Sequence, residues 1–268
     1  IMETNVLFVN THEDKEDVAQ MFSKYYLTAL PVVGKENRLV GIITVDDALD
    51  IMEEEASEDI AKMAAITPSD KPYLKTGVFE IWKNRIPWLL LLMISGTFTG
   101  IVISRFESAL ALIPVLTAYI PMMMDTGGNS GSQASVTIIR GLSLNELELK
   151  DVFRVMWKEF RVSILCGAAL SLANFAKLMF FDRRFINPDI TMPVAATICM
   201  AMFCTVVIAK LVGCTLPMLA KRAHLDPAVM ASPFITTIVD ALSLLVYFLF
   251  AKALLGVEIE ENLAFDVT

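Results

Sequence analysis

Apolar and polar positions alternate on short periods through the first sixty residues and then give way to long apolar blocks. Val6–Val9 is a short apolar run. Asp14–Tyr26 repeats its apolar positions at helical spacing, and Leu30-Pro-Val-Val33 is a second short run. Gly34 with Lys35-Glu-Asn-Arg38 makes a turn, Leu39–Thr44 is a third apolar run, and Asp46 opens a helix that continues past Ile60. Short apolar runs bounded by turn residues read as strands, and a period near 3.6 reads as helix. The prediction is strand, helix, strand, turn, strand, helix: an α+β layer with helices on one face. Thr67-Pro-Ser-Asp-Lys-Pro72 then breaks the second helix and forms a linker.

Five apolar segments follow: Pro87–Ser104, Leu110 to Ile139 with a break expected at its glycines, Val162–Phe181, Pro193–Ala220 and Pro227–Leu255. A helix needs about 20 apolar residues to cross the hydrocarbon core. The expected fold class is therefore a mainly α membrane protein with five transmembrane helices per subunit, preceded by the α+β module and a connecting helix. The expected boundaries are 1–45 for the module, 46–84 for the acidic connecting helix and linker, 85–257 for the five-span domain and 258–268 for an extracellular tail. Lys75, Lys83 and Arg85, then Arg140, Lys150, Arg154, Lys158 and Arg161, then Lys221 and Arg222 fall in alternate loops. The opposite loops hold Arg105, then Arg183 and Arg184, then Lys252. Basic loops stay cytosolic, which places the amino-terminal module inside and the carboxyl terminus outside a cell membrane.

Composition changes this picture little. Apolar residues make up 55% of the 268 positions, above the about 45–50% usual for soluble domains. The net charge of −8 argues against nucleic acid as a partner. Cys166, Cys199, Cys204 and Cys214 lie in apolar stretches with no metal or redox spacing, and read as free core thiols. His12 and His224 are far apart and no nucleophile motif accompanies them, so an enzyme is not expected. No signal peptide is evident, and the module begins mid-pattern, so an upstream segment is expected.

The candidate chemistry lies in polar residues where a membrane makes them costly. Asp240 sits midway along the fifth segment, where a carboxylate costs at least about 2.5–3.5 kcal/mol. It reads as a protonated acid held by hydrogen bonds, as a proton relay, or as the lining of a water-filled cation path. Asp125-Thr-Gly-Gly-Asn-Ser-Gly-Ser-Gln133 in the second segment is too polar for lipid. Its oxygen ligands suit a partly hydrated divalent ion; its glycines alone would also serve close helix packing. Lys210 lies inside the fourth segment, where its stem could snorkel toward the end marked by Lys221. Asp46, Asp47, Asp50, Glu53, Glu54, Glu55, Glu58 and Asp59 crowd one helix, with several acids four apart that repel, and only Lys62 nearby to offset them. That helix reads either as a solvated face or as one that divalent cations bridge to another acidic surface.

Ala29-Leu-Pro-Val-Val33 and Arg38-Leu-Val-Gly-Ile-Ile-Thr-Val-Asp-Asp47 resemble the second module of a paired CBS domain. Thr126-Gly-Gly-Asn-Ser-Gly-Ser-Gln133, Ile138-Ile-Arg140 and the Asp240 segment resemble the MgtE-type magnesium channels. The resemblance implies a homodimer whose second and fifth spans line a pore for Mg2+, closed by cytosolic Mg2+ acting through the CBS module and connecting helix. It implies pore positions at Asp240, Gly128 and Asn129, with Asp125, Ser132 and Ser232 standing where the family more often has glycine or asparagine. It implies regulatory acids at Asp47, Glu55, Glu58, Asp59 and Asp226, and Asp50 of the same acidic helix is a further regulatory candidate. Family CBS modules also bind ATP; Thr44 and Asp47 fit a ribose-contacting pattern, while Tyr26-Leu27 departs from the Asp-Phe of such sites. A channel, an ion-coupled carrier of Mg, Mn or Co, and a non-conducting membrane sensor remain open at this point.

Overall fold

The computed structural model describes residues 6–69, 71–230 and 232–256. The chain divides into two compact units, Ile1–Lys62 with Thr67–Ile81 and Met63–Ile66 with Trp82–Thr268.

In the amino-terminal unit, β1 (Val9–Asn10), α1 (Lys15–Tyr25), β2 (Ala29–Val33), β3 (Leu39–Thr44) and α2 (Val45–Met63) follow in order. β1 pairs parallel with β2, and β2 antiparallel with β3. The first strand is shorter than the apolar run Val6–Val9 and starts at its last residue. Asp14 caps α1 by accepting a hydrogen bond from the Glu16 amide at 2.9 Å, which satisfies a donor the first turn would leave open. Val9, Val18, Phe22, Leu30 and Ala48 form the core. Asp47 closes the start of α2 by accepting hydrogen bonds from the amide and hydroxyl of Thr44, the reciprocal half of a capping box.

The second unit contains α3 (Val78–Arg105) from Trp82 onward, α4 (Glu107–Leu112), a 3-10 turn at Pro114–Tyr119, α5 (Ile120–Ser143) and α6 (Val152–Lys177). A π-helical segment at Leu178–Asp182, α7 (Arg183–Phe185), α8 (Met192–Arg222), a 3-10 turn at Pro227–Met230 and α9 (Ser232–Leu255) complete it. Among the described residues four helices are long and apolar enough to cross a membrane: Val78–Arg105, Leu149–Phe185, Met192–Arg222 and Pro227–Leu255. The polar run in α5 keeps that 24-residue helix out of the set. α5, α6, α8 and α9 pack together, whereas no residue of α3 is buried.

The break expected at the glycines is absent. α5 runs unbroken through Gly127, Gly128 and Gly131, and the irregular backbone lies upstream at Pro114–Tyr119. Each glycine weakens an isolated helix by about 1 kcal/mol, but here glycine lets neighbouring backbones close in. A Cβ on Gly213 of α8 would lie 2.2 Å from the Gly131 carbonyl oxygen, and one on Gly127 would lie 2.3 Å from Ser243 Oγ. Tertiary packing of small residues therefore outweighs local propensity. Consequently the carbonyls of this stretch are not laid open by an unwound segment, and the ligands it presents are side chains.

Candidate functional site

α5 has two unlike faces. Gly127, Gly128, Ser130, Gly131 and Ala134 are buried, while Asp125, Asn129 and Gln133, spaced one turn apart, are exposed. An exposed carboxylate and two amides on a helix packed among apolar spans cannot face hydrocarbon cheaply, so this face requires water or protein opposite it.

α9 brings Asp240 to the edge of that face. A Cβ on Gly128 would lie 3.6 Å from Asp240 Oδ1 and 3.0 Å from Thr236 Cγ2. The Asp240 carboxylate thus rests against bare α5 backbone, half-buried, and lies near enough to Asp125 to be repelled by it. Among the described residues no cation or hydrogen-bond donor partners Asp240, which leaves its oxygens available. Ser132 is half-buried on α5, and the side chain of Ser232 lies outside the described residues. Among the described residues no group of three or more His, Cys, Asp or Glu side chains converges as a direct metal cage. Two carboxylates beside an amide instead suit an ion that keeps most of its water.

The acids of α2 are dispersed. Glu55 pairs with Lys15 at 2.8 Å, and Glu54 lies 3.7 Å from the same ammonium; Glu58 pairs with Lys62. Lys62 is therefore not the sole offset: Lys15 comes from α1, a tertiary contact that local spacing in α2 does not reveal. Asp50, Glu53, Glu54 and Glu58 line an open pocket with Lys15. Asp47 is occupied by Thr44, whose hydrogen bonds hold its carboxyl below the usual range, so both candidate nucleotide contacts are engaged with each other. Glu16, which the sequence did not single out, is held above the ordinary carboxyl value by partial burial and by Asp59 and Glu55. Asp226 lies in the membrane unit, where it accepts from the Ala228 amide at 2.8 Å and caps the turn before α9.

Lys210 is 5% exposed, so its head is covered and does not reach open water. The four cysteines are free, Cys199 and Cys214 buried and the other two half-buried, in agreement with core thiols.

Residues 120–250 match the MgtE family model, described as a divalent cation transporter, and residues 1–54 match the CBS domain model. The chain carries the MgtE domain. Similar relatives are a magnesium transporter MgtE of Thermus thermophilus, 38% identical over 95% of this chain and 55% of the relative, and one of Bacillus subtilis, 36% identical over 94% and 54%. A third, of Enterococcus faecalis, is 31% identical over 92% and 52%. The chain thus spans about half the length of the curated relatives it matches. With its apolar helices and MgtE domain, this chain is a multi-pass membrane protein with a CBS domain, and the relatives it resembles are magnesium transporters.

Proposed function

We propose that the chain conducts Mg2+ across the cell membrane into the cytosol along the polar face of α5 and the Asp240 face of α9. The carrying observation is the half-buried, unpaired Asp240 resting on Gly128 beside the exposed Asp125–Asn129–Gln133 stripe. α5 serves as the fifth span: 24 helical residues at about 1.5 Å each suffice to cross the core. A second copy of the chain facing the stripe would close the path, and would also cover part of α3, whose Leu89, Met93, Ile94 and Phe98 are exposed. Asp240 and Asp125 attract the hydrated ion, and Asn129 and Ser132 offer neutral oxygens. The amino-terminal unit lies in the cytosol. Cytosolic Mg2+ favours closure by binding acids of α2, Asp47, Asp50, Glu55, Glu58 and Asp59, together with Asp226. ATP at Thr44 and Asp47 would require that pair to separate.

The test is uptake of Mg2+, Mn2+, Co2+ and Ca2+ into liposomes holding the wild-type chain or Asp240→Asn. Flux that follows voltage and ion gradients alone, and that falls in the variant, supports a channel. Dependence on a sodium or proton gradient supports a carrier, and wild-type flux from the folded variant removes Asp240 from the path. A wild-type chain that binds Mg2+ without passing it is a sensor.

A further inference from the structure

The 3-10 turn Pro114–Tyr119, which delivers the chain into α5, is held from two sides by buried polar contacts. From α9, the Tyr247 hydroxyl donates to the Leu116 carbonyl at 3.0 Å. From the end of α6, Asp182 accepts from the Tyr119 hydroxyl at 3.0 Å and from Lys177 Nζ at 2.6 Å on the same oxygen, Oδ2. The Lys177 ammonium also sits 5.7 Å from the centroid of the Tyr119 ring. Asp182 is 1% exposed, Tyr119 6% and Tyr247 fully buried. Lys177 and Asp182 are five apart, and the π-helical segment Leu178–Asp182 is what brings them to one side, since an α-helix aligns residues three or four apart. A π turn inside a long helix is rare and marks a functional position often.

We propose that Asp182 is a positioning residue for ion passage. It does not touch the ion. By gripping Tyr119, one residue before α5 begins, it fixes the depth and rotation of α5, and with them the distance from Asp125 and Asn129 to Asp240. Tyr247, seven residues beyond Asp240 on α9, grips the same turn, so the two walls are tied to one anchor. The charge matters for a specific reason: an ionised acceptor holds a hydroxyl more strongly than a neutral one, and Lys177 supplies the counter-charge that lets an ionised carboxylate stay buried. The proposal rests on the reading of α5 and α9 as walls of the path.

The experiment pairs flux with a distance. Tyr119→Phe deletes only a hydroxyl, Asp182→Asn keeps an acceptor but loses the charge, and Asp182→Ala loses both. Each is introduced into the full chain in liposomes, with flux normalised to folded protein. In parallel, spin labels at Val136→Cys in α5 and Leu249→Cys in α9, both exposed positions, report the separation of the walls in a background lacking the native cysteines. Positioning predicts that Tyr119→Phe lowers maximal Mg2+ flux about tenfold, less than the about 100-fold that a misplacement of about 1 Å can cost, with the half-saturating concentration unchanged. It also predicts a broader α5–α9 distance distribution, and that Asp182→Asn recovers part of what Asp182→Ala loses. Wild-type flux per folded chain in Tyr119→Phe and Asp182→Asn overturns the proposal, whatever happens to yield. So does an altered distance with unaltered flux. If the wild-type chain passes no Mg2+, the reading of the path has failed, and an unchanged distance in Tyr119→Phe then shows that the clamp has failed separately.

Discussion

Asp182 and Asp240 are both carboxylates of the membrane unit that protein covers in large part, and their surroundings are opposite. Asp182 Oδ2 has an ammonium and a phenol within hydrogen-bonding distance. Asp240 has Gly128 backbone, a threonine methyl and a second acid. An acid kept where water is scarce has to be compensated. The protein pairs the first at Oδ2 with a fixed cation and a phenol, which makes it part of the scaffold, and gives the second no cation or donor among the described residues. The acids of α2 stand in a third environment, beside water, where pairing with Lys15 and Lys62 is a modest term. Burial therefore says more than number: eight acids on one helix carry less obligation than one in a membrane.

The strongest way to break this contrast is Lys177→Met, which leaves Asp182 buried without its counter-charge. Removing one partner of a buried pair costs about 3–5 kcal/mol; half-exposure of Lys177 places the expected loss at the lower end. Thermal unfolding in detergent, followed by tryptophan fluorescence, measures it. A melting temperature equal to that of the wild type would mean that Asp182 needs no partner, and the distinction between the two acids would disappear.

Asp240→Asn is expected to act in the opposite sense. Removing an uncompensated charge relieves the cost of burying it, so the melting temperature should hold or rise. Flux should fall about 100-fold, the kinetic equivalent of about 2.7 kcal/mol. Loss of stability alongside loss of flux would show that Asp240 has a structural partner after all, and would move it into the same class as Asp182.

The small-residue crossing of α5 and α8 can be tested next. Gly213→Ala puts a methyl 2.2 Å from the Gly131 carbonyl oxygen, against backbone that cannot rotate aside. Overpacking costs about 1–3 kcal/mol. Gly100→Ala in α3, where a Cβ would meet nothing within 4 Å, is the control and should be neutral or slightly stabilising through helix propensity. Equal melting temperatures for the two variants would show that α5 and α8 are not in close approach.

Much of this arrangement is legible in sequence, because the hydrophobic pattern reports what a membrane demands. The apolar blocks, Asp240 and the polar stretch of α5 all stand out by composition against their neighbours. What is not legible is mostly tertiary. The glycines in α5 suggest a broken helix until α8 and α9 are placed against them, and then the same glycines explain why the helix is whole. Lys15 looks unrelated to α2 because no periodicity links the two. Asp182 reads as the first residue of a loop before Arg183 and Arg184, since the apolar block ends at Phe181; its pairing with Lys177 depends on a π turn. The spacing of five between an acid and a base at a span's end was the available signal. It is weak alone, because α-helical geometry does not join such residues.

Glu16 offers the smallest effect and the finest test of the water-side environment. Its carboxyl lies above its ordinary value of 4.5 because partial burial and the nearby acids Asp59, Glu55, Asp14 and Asp17 disfavour its charge. A carboxyl raised in the folded state holds its proton more tightly folded than unfolded. Unfolding then releases protons, so stability falls as pH rises through the interval above 4.5 and is restored as pH drops back toward that value. This is opposite to the capped Asp47, whose folded value is lowered and whose contribution is lost on acidification. Glu16→Gln removes the ionisable group while keeping an acceptor for the Gln20 side chain, which donates to Glu16 Oε1 at 3.3 Å. The variant should be slightly more stable than wild type at neutral pH, with the advantage fading below pH 4.5. Bound Mg2+ would neutralise the neighbouring acids and shrink the same advantage. Melting curves at pH 4, 5.5 and 7, with and without Mg2+, measure both dependences. An advantage unaffected by Mg2+ at every pH would mean that the ion does not bind near Glu55 and Asp59, and that this surface is only a solvated acidic face.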